Sequence, residues 1–400
     1  MFAAQVPSPL KGLLRSFAPL LSKPQQDNLA RMVVGLISSE GGKTIKGISD
    51  TFIPHKDQSN LNRFVTDAKW DYRELNRRRI KLVEDELELA NSDRCVLIID
   101  NTVVERYGGE GLGYHHDSKH GLVKGHCYVT EICSCSGVSY PVDLRLYMPE
   151  GTSDKPFRSK VDLACELIDE FDAPSKKDVV VVQFDEWYLC GEVVKHVEDR
   201  GFRWINEAKG NRVLFYGEER LKVSELTNRM RPFFREVEVD GELYQCLDVE
   251  AYMPRLRNVR LLFNCRANSK DMHNLCTNIK ELPPGELIKR SFERAKIEVF
   301  HWDIKNVLGF GEYRFRESEA AITHSHLVLL TYSLLLIMKK RIEKRNGKRT
   351  TTGISIGEAC RIVRDKCLVT ICRWFREMYS AGASITGVLH MIRPRIQIYK

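Results

Sequence analysis

Two short apolar runs, each closing on an aspartate, limit the folds open to this chain more than any other feature. Residues 95–100 read CVLIID and residues 179–185 read VVVVQFD. Branched apolar residues without polar alternation are the pattern of a strand covered on both faces, and such strands lie in sheets flanked by helices. If the two runs are neighbours in one sheet, Asp100 and Asp185 emerge side by side at the same edge. Like charges a few ångströms apart repel, and a divalent cation is the usual compensation; hard carboxylate oxygens suit magnesium. Either aspartate alone is equally compatible with a helix cap or a turn.

The neighbouring segments supply the remainder of an α/β unit. GHCYVTEICSC and SYPVDLRLYM, set off by glycine-containing turns, make three antiparallel strands with the first run. A helical stretch at 157–171 precedes the second run, and the helix-like LCGEVVKHVEDRG and the strand FRWINEA follow it. Each aspartate is expected at the C-terminal end of its strand. The chain divides into an N-terminal helical, DNA-binding domain (1–90), the first part of the core (91–210), a β-rich insertion (211–283), the second part of the core (284–345) and a C-terminal helical tail (346–400).

A single long helix is expected over 287–306, after the ELPPGE turn, and it brings a third acid. At about 100° per residue, Ser291, Arg294, Glu298 and Lys305 fall within roughly 60° of one another on its surface. One face then presents a hydroxyl, two cations and a carboxylate. The competing reading is a surface stripe in which Arg294 and Glu298 form an i,i+4 ion pair. Ile297, Val299 and Phe300 around Glu298 favour a helix packed on a sheet.

The bulk composition is compatible with this. The chain has 62 Lys and Arg against 54 Asp and Glu, a formal charge of +8, which favours polyanionic partners. Arg77, Arg78, Arg79 and Lys81 cluster on one helical segment, either as phosphate contacts or as a solvated face. Twelve cysteines without paired CxxC spacing read as reduced core thiols of a cytosolic protein. The N-terminus lacks the pattern of a secretory signal, and the apolar stretch 327–338 is too short to span a bilayer, so no membrane is expected. GGEGLG at 108–113 lacks the GK[ST] ending of a phosphate loop and reads as a hairpin turn. His115, His116, His120 and His126 read as a polar loop rather than a metal site, because nothing completes a familiar ligand spacing.

Here the chain resembles a family, the insertion-sequence DDE transposases of the YREK class, family-four-like elements with an RNase H-like catalytic core. Their signature of Tyr, Arg, Glu and Lys, with two, three and six residues between, is matched at Arg294, Glu298 and Lys305, with Ser291 in place of the Tyr. IIDNTVVERYG around the first acid and FDEWYL around the second share the family's look, and the resemblance covers about 60–335. Asn101 stands where many relatives carry a second Asp. The resemblance implies an RNase H-like mixed sheet flanked by helices, with Asp100, Asp185 and Glu298 holding two Mg2+ ions, for which Mn2+ can substitute. It implies that Arg294 and Lys305, with Ser291, touch the phosphates of transposon ends, and that Trp302 either stacks on an unpaired base or is a core or interface residue. The implied partners are double-stranded DNA, as terminal inverted repeats and target, and a second copy of the chain in the DNA complex. The implied location is the cytoplasm, at the nucleoid. A DNA-binding protein that has lost catalysis, and a metal-dependent nuclease without strand transfer, are the alternatives.

Overall fold

The computed structural model of the 400-residue chain describes residues 3–53, 57–117, 121–269, 271–346 and 353–392. Its first segment is helical: α1 (Ser8–Leu14), α2 (Lys23–Ser38), α3 (Ile45–Asp50), α4 (Gln58–Thr66) and α5 (Tyr72–Glu86). The helix starts are encoded locally. Asp57 caps α4 by accepting the Ser59 N–H, Asp71 caps α5 by accepting the Arg73 and Glu74 N–H groups, and Ser22 with Gln25 forms a capping box at α2.

The core follows as β1 (Arg94–Glu105), β2 (Gly113–Asp117), β3 (Gly121–Cys135), β4 (Val138–Tyr147), α6 (Lys160–Glu170), β5 (Val179–Phe184), α7 (Gly191–Asp199) and β6 (Arg203–Glu207). β4 and β1 flank β3 in antiparallel pairing, β1 runs parallel to β5, and β5 runs parallel to β6. This is the expected mixed, RNase H-like sheet. Val96 to Ile99 and Val180 to Phe184 are buried, as strands covered on both faces must be. The GGEGLG segment links β1 to β2, and β2 pairs with β3 instead of folding back on β1, so it is not a simple hairpin turn.

The insertion contributes β7 (Val213–Tyr216), β8 (Glu219–Lys222), α8 (Val223–Met230), β9 (Arg235–Val239), β10 (Glu242–Met253), β11 (Arg257–Arg266) and β12 (His273–Thr277). β12 pairs antiparallel with β6, so these strands extend the core sheet into one of twelve strands among the described residues. The chain then forms α9 (Pro284–Ser291), α10 (Ala295–Asn306), α11 (Ser318–Asn346), α12 (Ile356–Ser380) and α13 (Ile385–Ile392).

Three further expectations are corrected. The helix over 287–306 is broken by a 3₁₀ turn at Phe292–Arg294, so α9 and α10 are separate. β1 does not end at Asp100 but continues to Glu105, because β3 pairs with it along the whole way. α11 reaches 29 residues, longer than its apolar stretch. It is long and apolar enough to cross a membrane by length and composition, yet 89% of its apolar window is buried inside the fold. It packs against α2, α5, α12 and β4. The basic run at 339–349 forms the last turns of α11, and its final residues lie outside the described residues, as do His120 and the end of the C-terminal segment.

Candidate active site

The parallel register of β1 and β5 pairs Ile99 with Phe184, so the next residues, Asp100 within β1 and Asp185 just past β5, come at the same level of the sheet. β5 stops there because Asp185 opens a 3₁₀ turn, Glu186–Tyr188. α10 carries Glu298 to the same place, with Ile297, Phe300 and Ile304 buried beneath it.

Arg294 joins the three acids. Its Nη2 lies 3.0 Å from Asp185 Oδ1 and 3.5 Å from Asp100 Oδ2, and its Nη1 lies 3.4 Å from Glu298 Oε1. The i,i+4 pair with Glu298 is therefore one arm of a guanidinium shared by all three carboxylates, which come from segments nearly 200 residues apart. The 3₁₀ turn aims Arg294 this way. The carboxylates differ in cover: the side chain of Asp100 is 14% exposed and that of Glu298 65%. Burial pushes the Asp100 carboxyl up to about 6, against the pull of Arg294 and with a further push from Asp185.

One contact that the spacing did not reveal, through Thr130, docks α10 on the sheet. Thr130, opposite Asp100 on β3, donates its hydroxyl to the Asp100 carbonyl at 3.0 Å and lies 2.7 Å from His301 Nε2. The hydroxyl has one proton to give, so His301 donates through Nε2. Burial, with Lys305 and Arg294 nearby, holds that imidazole at about 3 and hence neutral. The only local signal was the position of His301, three residues after Glu298. The backbone N–H of Asn101 donates to Asp100 Oδ1 at 2.7 Å and fixes its carboxylate.

The other expected residues are placed as follows. Lys305 donates from Nζ to the Val103 carbonyl at 2.9 Å, so its ammonium ties α10 to β1; a phosphate contact would require release from that carbonyl. Ser291 donates to the Ile288 carbonyl in the last turn of α9 and does not share a helix with Glu298. Trp302 is 57% exposed, which removes the core reading. Trp187, two residues after Asp185, is equally exposed and has the Lys160 ammonium over its ring. Arg77 and Arg78 stay on α5, which packs on β4, two strands from β1. Arg77 pairs with Glu74, and Arg78 donates to the Ser16 carbonyl. Arg79 is no phosphate contact: it is fully buried and bonded to Asn76, Ser333 and the carbonyls of Pro141 and Val142.

Three hard-oxygen donors gathered on one cation are the donor set a divalent metal takes. As placed, the carboxylates close around the guanidinium, and among the described residues no three acidic, histidine or cysteine side chains meet at a single ion-sized point. The set suits Mg2+ in chemistry, and Arg294 competes for the same oxygens.

A family model described as DDE superfamily endonuclease matches residues 16–240, which include Asp100 and Asp185 but not Glu298. No curated protein matches the chain. Among solved structures, the chain is similar to the piggyBac transposase, in a cryo-EM structure of its synaptic complex with hairpin DNA. The TM-score is 0.51 at 10% identity, over 95% of this chain and 77% of that one. At this identity the likeness is one of fold.

Proposed function

The chain belongs to the DDE superfamily endonucleases, and from that premise we propose that it is a transposase of the YREK class, cleaving the ends of an insertion sequence and joining them to target DNA. The observation that carries this reading is the meeting of Asp100, Asp185 and Glu298 around Arg294. In it, the three carboxylates hold Mg2+, which when bound activates the attacking oxygen and offsets charge on the phosphodiester. Asp100, fixed by the Asn101 amide, is the covered ligand, and Glu298 is the exposed one that adjusts its position. With a cation held by the carboxylates, Arg294 would be free to hold a DNA phosphate. Exposed Trp187 and Trp302 offer ring faces to an unpaired base. Double-stranded DNA is the partner, and a second copy of the chain holds the other end.

The test is incubation with labelled terminal inverted repeats, a target plasmid and Mg2+. Cleavage followed by joining supports transposition, whereas cleavage without joining leaves a nuclease. Asp100→Ala, Asp185→Ala and Glu298→Ala are each expected to abolish cleavage and leave end binding nearly intact. Near-normal cutting by any one of them removes that residue from the triad.

A further inference from the structure

A cavity of about 780 Å3 lies away from the carboxylate cluster. It opens between α5, β4 and α6, and its lining includes Glu131 of β3. Side chains alternate across a strand, so Glu131 points away from the face on which its neighbour Thr130 meets His301. The cavity is thus on the side of the sheet opposite the candidate active site.

Glu131 is 1% exposed, and its Oε1 is buried without a hydrogen-bond partner. A buried carboxyl in that condition carries the desolvation cost of its lone pairs and calls for a donor. Burial holds it well above the usual carboxylate range, with Asp143 adding to the effect.

The acidic and basic groups around the cavity are not evenly paired. Arg145 is taken by Asp143 and Glu170, Arg158 by Glu166, and Lys155 by Glu319. Arg77 and Lys81 are taken by Glu74 and Asp85, outside the lining. Four lining carboxyls, Glu84, Glu131, Glu150 and Asp172, then remain without an ion pair among the described residues, against one guanidinium, Arg73, which lies over the Tyr72 ring. Part of the wall is apolar, with Ile80, Leu163, Leu167 and Ile322.

We propose that this cavity binds a small aliphatic amine of the diamine or polyamine class, with one ammonium on Glu131, the methylene chain along the apolar wall, and a second ammonium toward the rim carboxyls. An ammonium supplies the donor that Glu131 lacks, and the stem suits walls that would not repay a strongly hydrated inorganic cation. The site is separate from the proposed DNA chemistry and does not depend on it.

The experiment is calorimetric titration of the full chain at low salt with 1,4-diaminobutane and with spermidine, and with 1,6-hexanediol as an uncharged molecule of similar shape. Saturable binding of one amine per chain is expected, with none of the diol. Glu131→Gln, close in shape and uncharged, should weaken the amine about tenfold or more, while Asp185→Asn should leave amine binding unchanged. If Glu131→Gln does not fold, Glu84→Gln at the rim should still weaken binding several-fold. Absence of saturable amine binding, equal binding of the diol, or undiminished binding by the folded Glu131 and Glu84 variants overturns the proposal.

Discussion

Between pH 4 and pH 6, Asp100 couples the acid cluster to the stability of the fold. Burial pushes its carboxyl in the folded chain from the ordinary 3.8 up to about 6, because it disfavours the charged form. A group whose folded pKa is raised contributes stability that is fully present below the unfolded pKa and is lost as pH rises through the folded one. Ionised Asp100 therefore weighs against the fold above about pH 6, by an amount on the order of 3 kcal/mol. Without added metal, Asp100→Asn is expected to melt higher than the wild type at pH 7, with the gap closing toward pH 4; a gap that does not change with pH would deny the titration. Arg294 is the partner that offsets this cost. Arg294→Ala should lose stability at pH 7, of order 1 kcal/mol once the exposure of Glu298 is allowed for. Added Mg2+ should then raise its melting temperature more than that of the wild type, since guanidinium and metal compete for the same oxygens. Equal metal shifts in the two proteins would mean that these carboxylates do not hold the ion.

At the level of elements, the insertion is tied to the second acid through a hairpin tip. β10 and β11 meet at Met253–Leu256, where the Leu256 N–H donates to the Met253 carbonyl at 3.0 Å. Pro254 takes the second position and Arg255 the third with φ 70°, the pattern of a type II turn in which glycine usually fills the third place. The tip rests on Gly191, the first residue of α7, just beyond the 3₁₀ turn that follows Asp185. A Cβ added there would come 2.8 Å from the Arg255 carbonyl oxygen and 2.9 Å from its Cβ. Neither backbone can yield easily. Gly191→Ala is therefore expected to cost roughly 1–3 kcal/mol, read as a lower urea midpoint. An unchanged midpoint would show that the hairpin does not bear on α7.

For the whole molecule, the last long helix closes the fold over the first ones. α12 buries Ile356, Ala359, Cys360, Val363 and Cys367, and Arg364 donates from Nε to the Ile37 carbonyl of α2 at 2.7 Å. α2 in turn is buried along Arg31–Ser38, which explains why a short helix near the N-terminus carries so little polar surface. α11 lies in contact with both of them. A chain ended at residue 346 should expose this seam. At about 1.5 kcal/mol or more for each large apolar side chain uncovered, the loss is several kcal/mol. A lower melting temperature together with increased binding of an apolar dye such as ANS is expected, and an unchanged melting profile would show α12 to be an appendage.

Along the chain, local patterns determined a good part of this protein. Unbroken apolar runs mark β1 and β5 because a doubly covered strand admits no polar alternation, and Asp57, Asp71 and Ser22 mark helix starts because an unsatisfied N–H needs an acceptor close in sequence. The same patterns singled out Asp100, Asp185 and Glu298. The 3.6-residue period also suggested one helix through Ser291 and Glu298, and it was misleading there, since α9 ends in a 3₁₀ turn. Only the tertiary structure decided where β1 stops, because the pairing of β3 carries it past Asp100. It also gave Arg294 three partners, gave the Lys305 ammonium a backbone carbonyl, joined β12 to β6, and left Glu131 facing a cavity. Each of these depends on groups tens to hundreds of residues apart, and spacing along a chain reports only which side chains share a face, not what that face will meet.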